Sequence, residues 1–265
     1  MCSVPLLTQR EYVSSVSNAF NVQADTTYRP TNESSTKNKF FGDVRTTHFR
    51  LRPSPIPYGG PAIFHPHDSF PAPAEGFEIN NEADSVAHCT HQLILPLFNL
   101  LKYYHPLLDF FMKSEVNLET EVRGNEDGDD VPTISVRARV DMLLQAGRRG
   151  TEERSTFLPL EHKRPGMLRR DDWTYGIATG TSHLRGNALP IAHQSRKYVS
   201  ACNCNILGVY DSTALVGICF RWEDFADWNT MKTIMTKVFY EDKPAKFLDT
   251  LLAMAEMGLQ TCELI

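Results

Sequence analysis

The chain has 265 residues, a formal net charge of −5 and 42% hydrophobic residues, enough apolar content for a sizeable core in one large or two small domains. The negative balance excludes a nonspecific nucleic-acid coat protein, which would be basic, and no apolar run approaches the ~18 residues of a membrane span. The six cysteines form no CxxC pair and no signal peptide is visible, so an intracellular protein with reduced thiols and no membrane partner is expected.

Residues 1–75 differ in composition from the rest. Residues 21–50 are rich in Ser, Thr and Asn, and seven of the 16 prolines fall between Pro53 and Pro73, a composition that favours extended chain. Phe40, Phe41, Phe49, Leu51, Ile56, Tyr58, Ile63 and Phe64 nevertheless give this stretch apolar surface to bury. The expectation is an N-terminal Pro-rich arm over 1–75, partly disordered or wrapping the core, followed by a domain over 76–265.

Residues 82–104 carry a helical stripe, Val86, Leu93, Leu97, Leu101 and Tyr104, with a kink expected at Pro96. Residues 107–113 are read as extending this helical region. Val116–Val122 reads as the first strand of the domain, ended by an acidic loop over 124–130 that is expected to be a solvated turn.

Residues 133–144 alternate. Ile134, Val136, Ala138 and Val140 fall on one face; Ser135, Arg137, Arg139 and Asp141 fall on the other. A Gly/Arg-rich turn leads to a second strand over 156–163, in which Glu161 and Lys163 point one way and His162 the other. Pro159 removes a ladder donor, so a bulge or an edge position is expected near it. Two carboxylates and one ammonium can therefore converge on one spot, and carboxylates suit a hard cation such as Mg²⁺.

A long connection over 164–193 follows, with a helical turn expected near 171–177 and the capacity to form a lid. Residues 190–202 read as a helix that Pro190 suits at its start. Gln194 and Tyr198, spaced i and i+4, share one of its faces. Strands are expected over 204–210 and 214–222, and helices over 225–240 and 245–259.

The order strand with Asp141, strand with Glu161-His162-Lys163, helix with Gln194 and Tyr198, then two strands, resembles the PD-(D/E)XK nuclease superfamily. The QxxxY element is closest to its RecB-like branch, and the resemblance spans roughly residues 80–222. It implies an α/β, restriction-endonuclease-like core: a central mixed β-sheet flanked by helices, here with the N-terminal arm and C-terminal helices added. The first motif departs from the pattern, because Val140 rather than proline precedes Asp141.

By that resemblance Asp141, Glu161 and Lys163 are the catalytic set. Asp141 and Glu161 would ligate Mg²⁺ or Mn²⁺, joined by the His162 backbone carbonyl and by Glu82 from the preceding helix, with Asp84 as the second candidate. Lys163 would orient the attacking water or stabilise the transition state. Gln194, Tyr198, Arg164 and Arg196 would support the site or contact substrate. Arg148, Arg149, Arg169, Arg170 and Lys197 also lie near these motifs in sequence and are candidates for phosphate contacts.

Other constellations are weaker. His65-Pro66-His67 and the His88/His91 pair have ligand-like spacing without a matching Cys or carboxylate set, and no nucleotide-binding glycine loop is present. Two function classes stay open. One is a metal-dependent nuclease, a hydrolase of phosphodiester bonds in DNA or, as the second choice, RNA. The other is an inactive member of the fold that only binds nucleic acid or protein.

Overall fold

The structure, a computed structural model, describes residues 22–24, 43–48, 77–79, 81–123, 133–174, 182–220 and 233–265. The acidic loop 124–130 and His65-Pro66-His67 lie outside the described residues.

In chain order the elements are β1 (Val22–Ala24), β2 (Asp43–His48), β3 (Phe77–Ile79), α1 (Glu82–Cys89), a π-helical segment (Thr90–Ile94), α2 (Leu95–Tyr104), β4 (Leu108–Arg123), β5 (Thr133–Arg148), β6 (Ser155–His162), α3 (Arg170–Thr174), β7 (Ser182–His183), α4 (Ala188–Cys202), β8 (Ile206–Tyr210), β9 (Leu215–Phe220), β10 (Thr233–Glu241), a 3₁₀ turn (Pro244–Lys246) and α5 (Phe247–Thr261). The protein is α/β, with a mixed open sheet flanked by helices. Six strands run in the order β4-β5-β6-β8-β9-β10, and β2 and β7 extend that order at the β10 edge. β6 and β8 are parallel, as are β10 and β2; the other neighbours in this sheet are antiparallel. β1 pairs with β3 in a separate two-stranded sheet. The N-terminal segment Asp43–His48 is thus built into the main sheet.

Two apolar layers enclose the sheet. Leu93, Leu97 and Leu101 pack with Leu251, Leu252 and Leu259 of α5 against Met142, Leu158 and Leu160 on one face. Ile191, Ala192 and Val199 of α4 pack with Trp173 against Leu207, Val209 and Val216 on the other. β8 and β9 are buried along their whole length, which explains their nearly unbroken apolar sequence. Gly258 permits the close approach of α5 to β6, since a Cβ there would sit 1.8 Å from the Phe157 carbonyl oxygen.

Several sequence expectations need correction. Residues 108–113 are strand, not helix: Leu108 to Lys113 pair with Arg148 to Leu143 across β5. The apolar run was too short for its period to distinguish the two states. Within 225–240, the described residues from Thr233 onward are strand β10, held between β9 and β2. The C-terminal helical segment is therefore α5 with its short 3₁₀ lead-in. Pairing with distant strands outweighed the local helical spacing in both places.

Pro96 stands in the first turn of α2, and the π-helical segment lies immediately before it. A proline lacks an N–H and crowds the carbonyl four residues earlier, and widening the preceding turn accommodates both. Near Pro159 the β5–β6 register shifts between Leu144 and Gln145, which pair with Leu158 and Thr156. The extra residue is Phe157, two before the proline.

Candidate active site

β5 changes face at Asp141. Ala138 and Val140 pack in the α4 layer, whereas Met142, Leu144 and Ala146 pack in the α5 layer. β4 does the same, with Leu108 and Phe110 on the α5 side and Val116 and Leu118 against the α4 side. Between these halves the ladder skips one pair, Glu115 opposite Asp141, although Ser114 pairs with Met142 and Val116 with Val140. Glu115 has a left-handed φ of 52°, an uncommon conformation for a residue with a side chain. Beyond this point β4 and β5 pair only with each other among the described residues, because β6 joins β5 only from Met142 onward. The result is a two-stranded arm with Asp141 at its root.

A cleft of about 760 Å³ opens at that root. Asp141, Glu161, Lys163, Gln194, Tyr198 and Glu82 all line it. Glu161 and Lys163 come from the end of β6, the middle of the sheet, and are buried. Lys163 N donates to the Tyr210 carbonyl across 2.8 Å, continuing the β6–β8 ladder past the strand end. Its Nζ donates to Glu161 Oε1 in a short ion pair. His162 N donates to Asp141 Oδ2 across 2.7 Å, so the β6 backbone positions the Asp141 carboxylate.

α4 supplies the other wall. Gln194 Nε2 donates to Glu161 Oε1 at 3.1 Å, and the Tyr198 hydroxyl donates to the same oxygen at 3.4 Å. Gln194 and Tyr198 also touch each other. α1 supplies Glu82. Its neighbour Asp84 is consumed in a capping box, where Asp84 N donates to Asn81 Oδ1 and Asn81 N donates to Asp84 Oδ2. That geometry separates the two candidates: Glu82 faces the cleft and Asp84 closes the helix end.

The electrostatics follow from burial. Burial pushes the Glu161 carboxyl up to about 8, aided by the negative charges of Asp141 and Glu82 and opposed by Lys163. Burial raises Glu82 as well, against the pull of Lys163. For Lys163, burial works to discharge the ammonium, but Glu161, Glu82 and Asp141 together hold its proton more tightly than usual. Lys163 is the ammonium, because Glu161, Glu82 and Asp141 all favour its charged form.

The His162 ring points away from the cleft. It is buried edge-on against Tyr210, and burial lowers its pKa to about 3. His88 Nδ1 lies 3.0 Å from the Tyr210 hydroxyl, and burial lowers its pKa to about 4. Both rings are therefore neutral core residues at physiological pH, and only the His162 backbone serves the site.

A divalent cation fits this donor set in two respects. Among the described residues, Glu161 Oε2 is buried without a hydrogen-bond partner. The carboxyl groups of Asp141, Glu161 and Glu82 also outnumber Lys163, the one buried lysine among the described residues. Asp141 and Glu161 would hold such an ion, with the His162 carbonyl and Glu82 beside them. Among the described residues, no three His, Cys, Asp or Glu side chains form a ready-made metal set.

The basic residues divide. Lys197, Arg137 and Arg139 line the cleft. Arg164 is exposed, and its charge acts on Glu82. Arg196 is buried, with 1% exposure, and is not on the cleft wall. Of the two expected roles, support of the site or contact with substrate, its burial suits support from the protein interior. Arg148 and Arg149 lie at the far end of β5, seven and eight residues from Asp141, or about 23 Å or more along a strand. Arg170 is engaged by Asp242. Sequence reasoning overlooked Ser114 and Glu115, which line the cleft; the polar alternation in 113–119 was the available signal.

No protein-family model matches this chain, and no curated protein matches it. Among the described residues no helix is long and apolar enough to cross a membrane.

Proposed function

We propose that this protein is a metal-dependent nuclease of the PD-(D/E)XK type, with a restriction-endonuclease-like core, hydrolysing phosphodiester bonds in DNA, with RNA as the second substrate. The reading is carried by one observation: Asp141, Glu161 and Lys163 share a cleft in which Gln194 and Tyr198 both donate to Glu161. The order helix, three antiparallel strands, helix, parallel strand around that cleft supports it.

Mg²⁺ or Mn²⁺, when bound, would neutralise phosphate charge and ease deprotonation of a water. The chain's own residues do the rest. Asp141 and Glu161 supply the oxygen ligands, Asp141 held by His162 N and Glu161 by Gln194 and Tyr198. Lys163 holds its ammonium beside Glu161, where it orients the incoming water or offsets charge growing on the phosphoryl oxygens. Water oxygen bonds to phosphorus and yields one proton to solvent, the bond from phosphorus to the leaving oxygen breaks, and that oxygen takes a proton from solvent.

A second reading, a binding module without catalysis, draws on the lack of a three-side-chain metal set among the described residues. Labelled single- and double-stranded DNA and RNA, incubated with Mg²⁺, Mn²⁺ or EDTA, separate the two. Cleavage that needs the metal and disappears in Lys163→Ala establishes the nuclease. Binding without cleavage in every metal establishes the module.

A further inference from the structure

The outer half of the β4–β5 ribbon has two unlike faces. Val116, Leu118, Ala138 and Val140 turn toward α4. Asn117, Glu119, Arg137 and Arg139 are exposed. Arg137 and Arg139 line the cleft beside Asp141, and each is held by a carboxylate of the opposite strand. Arg137 Nε lies 3.1 Å from Glu119 Oε1, its directly paired residue. Arg139 lies 2.9 Å from Glu115 Oε1. Glu115 is the residue whose left-handed backbone interrupts the ladder opposite Asp141. All four side chains are more than half exposed, so the pairs can open without disturbing the core. A guanidinium that donates to a carboxylate oxygen can donate to a phosphate oxygen in its place.

We propose that this face of the arm is the cleft's phosphate track, and that Glu115 and Glu119 occupy its arginines in the free protein as stand-ins for substrate phosphates. The inference rests on the polynucleotide reading of the site. The two acids weaken binding of any single phosphate, and a strand displaces them by engaging both arginines at once. Selection for a continuous polyanion over mononucleotides follows. Tyr198 is the only aromatic side chain on the cleft wall among the described residues, and its hydroxyl is turned to Glu161. The track therefore reads backbone phosphates rather than bases.

The test is binding of a labelled single-stranded DNA oligonucleotide of mixed sequence, read by fluorescence anisotropy in Ca²⁺ across a salt series. Glu115→Gln/Glu119→Gln should tighten binding about three- to tenfold, the range expected when two exposed ion pairs no longer compete. It should also steepen the salt dependence by up to about one phosphate per arginine. Arg137→Gln/Arg139→Gln should weaken binding equally across unrelated sequences. Glu152→Gln/Glu153→Gln, an exposed pair on the β5–β6 turn, makes the same charge change away from the cleft and should have little effect. Equal tightening by that control pair overturns the proposal, as does unchanged or weaker binding in the Glu115/Glu119 variant. A parent protein that binds no polynucleotide at all removes the site reading and this inference with it.

Discussion

Gln194 Nε2 donates to Glu161 Oε1 across 3.1 Å, joining α4 to the end of β6. Tyr198, one turn later, reaches the same oxygen. The i, i+4 spacing puts both on one helix face, and the packing of Ile191, Ala192 and Val199 on the sheet aims that face at the cleft. Glu161 Oε1 is thereby fixed by three donors, Lys163 included, while Oε2 has none among the described residues. The carboxylate is oriented, with one oxygen left for a ligand.

Lys163→Ala should abolish cleavage while leaving polynucleotide binding in Ca²⁺ within about threefold of the parent, because binding energy lies mostly in the phosphate contacts. Lys163→Arg should rescue poorly, since a planar guanidinium does not replace a compact buried ammonium. Gln194→Ala should lower kcat less, about 10- to 100-fold, through loss of Glu161 orientation. Single-turnover cleavage beside a binding titration checks all three; near-parental turnover by Lys163→Ala would refute the assignment.

Asp141→Asn keeps an oxygen that can accept the His162 N–H and removes one charge from the carboxylate cluster. It should melt within a few degrees of the parent in EDTA. Mg²⁺ or Mn²⁺ should raise the parent's Tm, as any ligand of the native state does, and hardly move that of Asp141→Asn. Calorimetric scans with and without metal decide, and equal shifts in both proteins would count against ligation at Asp141.

Stability should depend on pH in two opposing ways in metal-free buffer. His88, lowered by burial from 6.5 to about 4, binds its proton in the unfolded chain first. Its stabilising contribution is full above about pH 6.5 and is lost as pH falls toward 4. Glu161, raised by burial from 4.5 to about 8, has the reverse sign. Its contribution is full below about pH 4.5 and declines as pH rises through 8. Urea denaturation from pH 4 to 8.5 should show the alkaline decline flattened in Glu161→Gln and the acid decline flattened in His88→Phe. An unchanged slope in either variant would rule out its residue as the source.

Gly258→Ala should destabilise by about 2–4 kcal/mol, because the added methyl meets a backbone carbonyl at 1.8 Å rather than a movable side chain. α5 must then shift away from β6 and open the layer around Leu158 and Leu251. Chemical denaturation measures the loss; a change below about 0.5 kcal/mol would show that the helix accommodates the methyl freely.

Removing residues 1–50 deletes β2, a neighbour of β10 in the main sheet. It exposes the β10 edge and should lower the denaturation midpoint, whereas removing residues 1–20 takes away no described strand of that sheet and should have a small effect. Equal midpoints for the two truncated proteins would mean that β2 contributes nothing to stability.

Elements whose pattern is local are legible in the residues alone. The alternation of 133–144 places Asp141 on a strand, the spacing of Glu161 and Lys163 gives them one side, and Gln194 and Tyr198 fall on one helical face. Each depends only on the strand period of two or the helix period of 3.6. Features that depend on distant partners were fixed only on folding. Leu108–Lys113 and Thr233–Tyr240 became strands because β5, β9 and β2 offered ladders that outweighed short-range preference. Arg196 was drawn into the interior, and the change of face at Asp141 set the arm's arginines along the cleft. These outcomes turn on packing and hydrogen bonding between residues far apart in the chain, and periodicity within one segment carries no record of them.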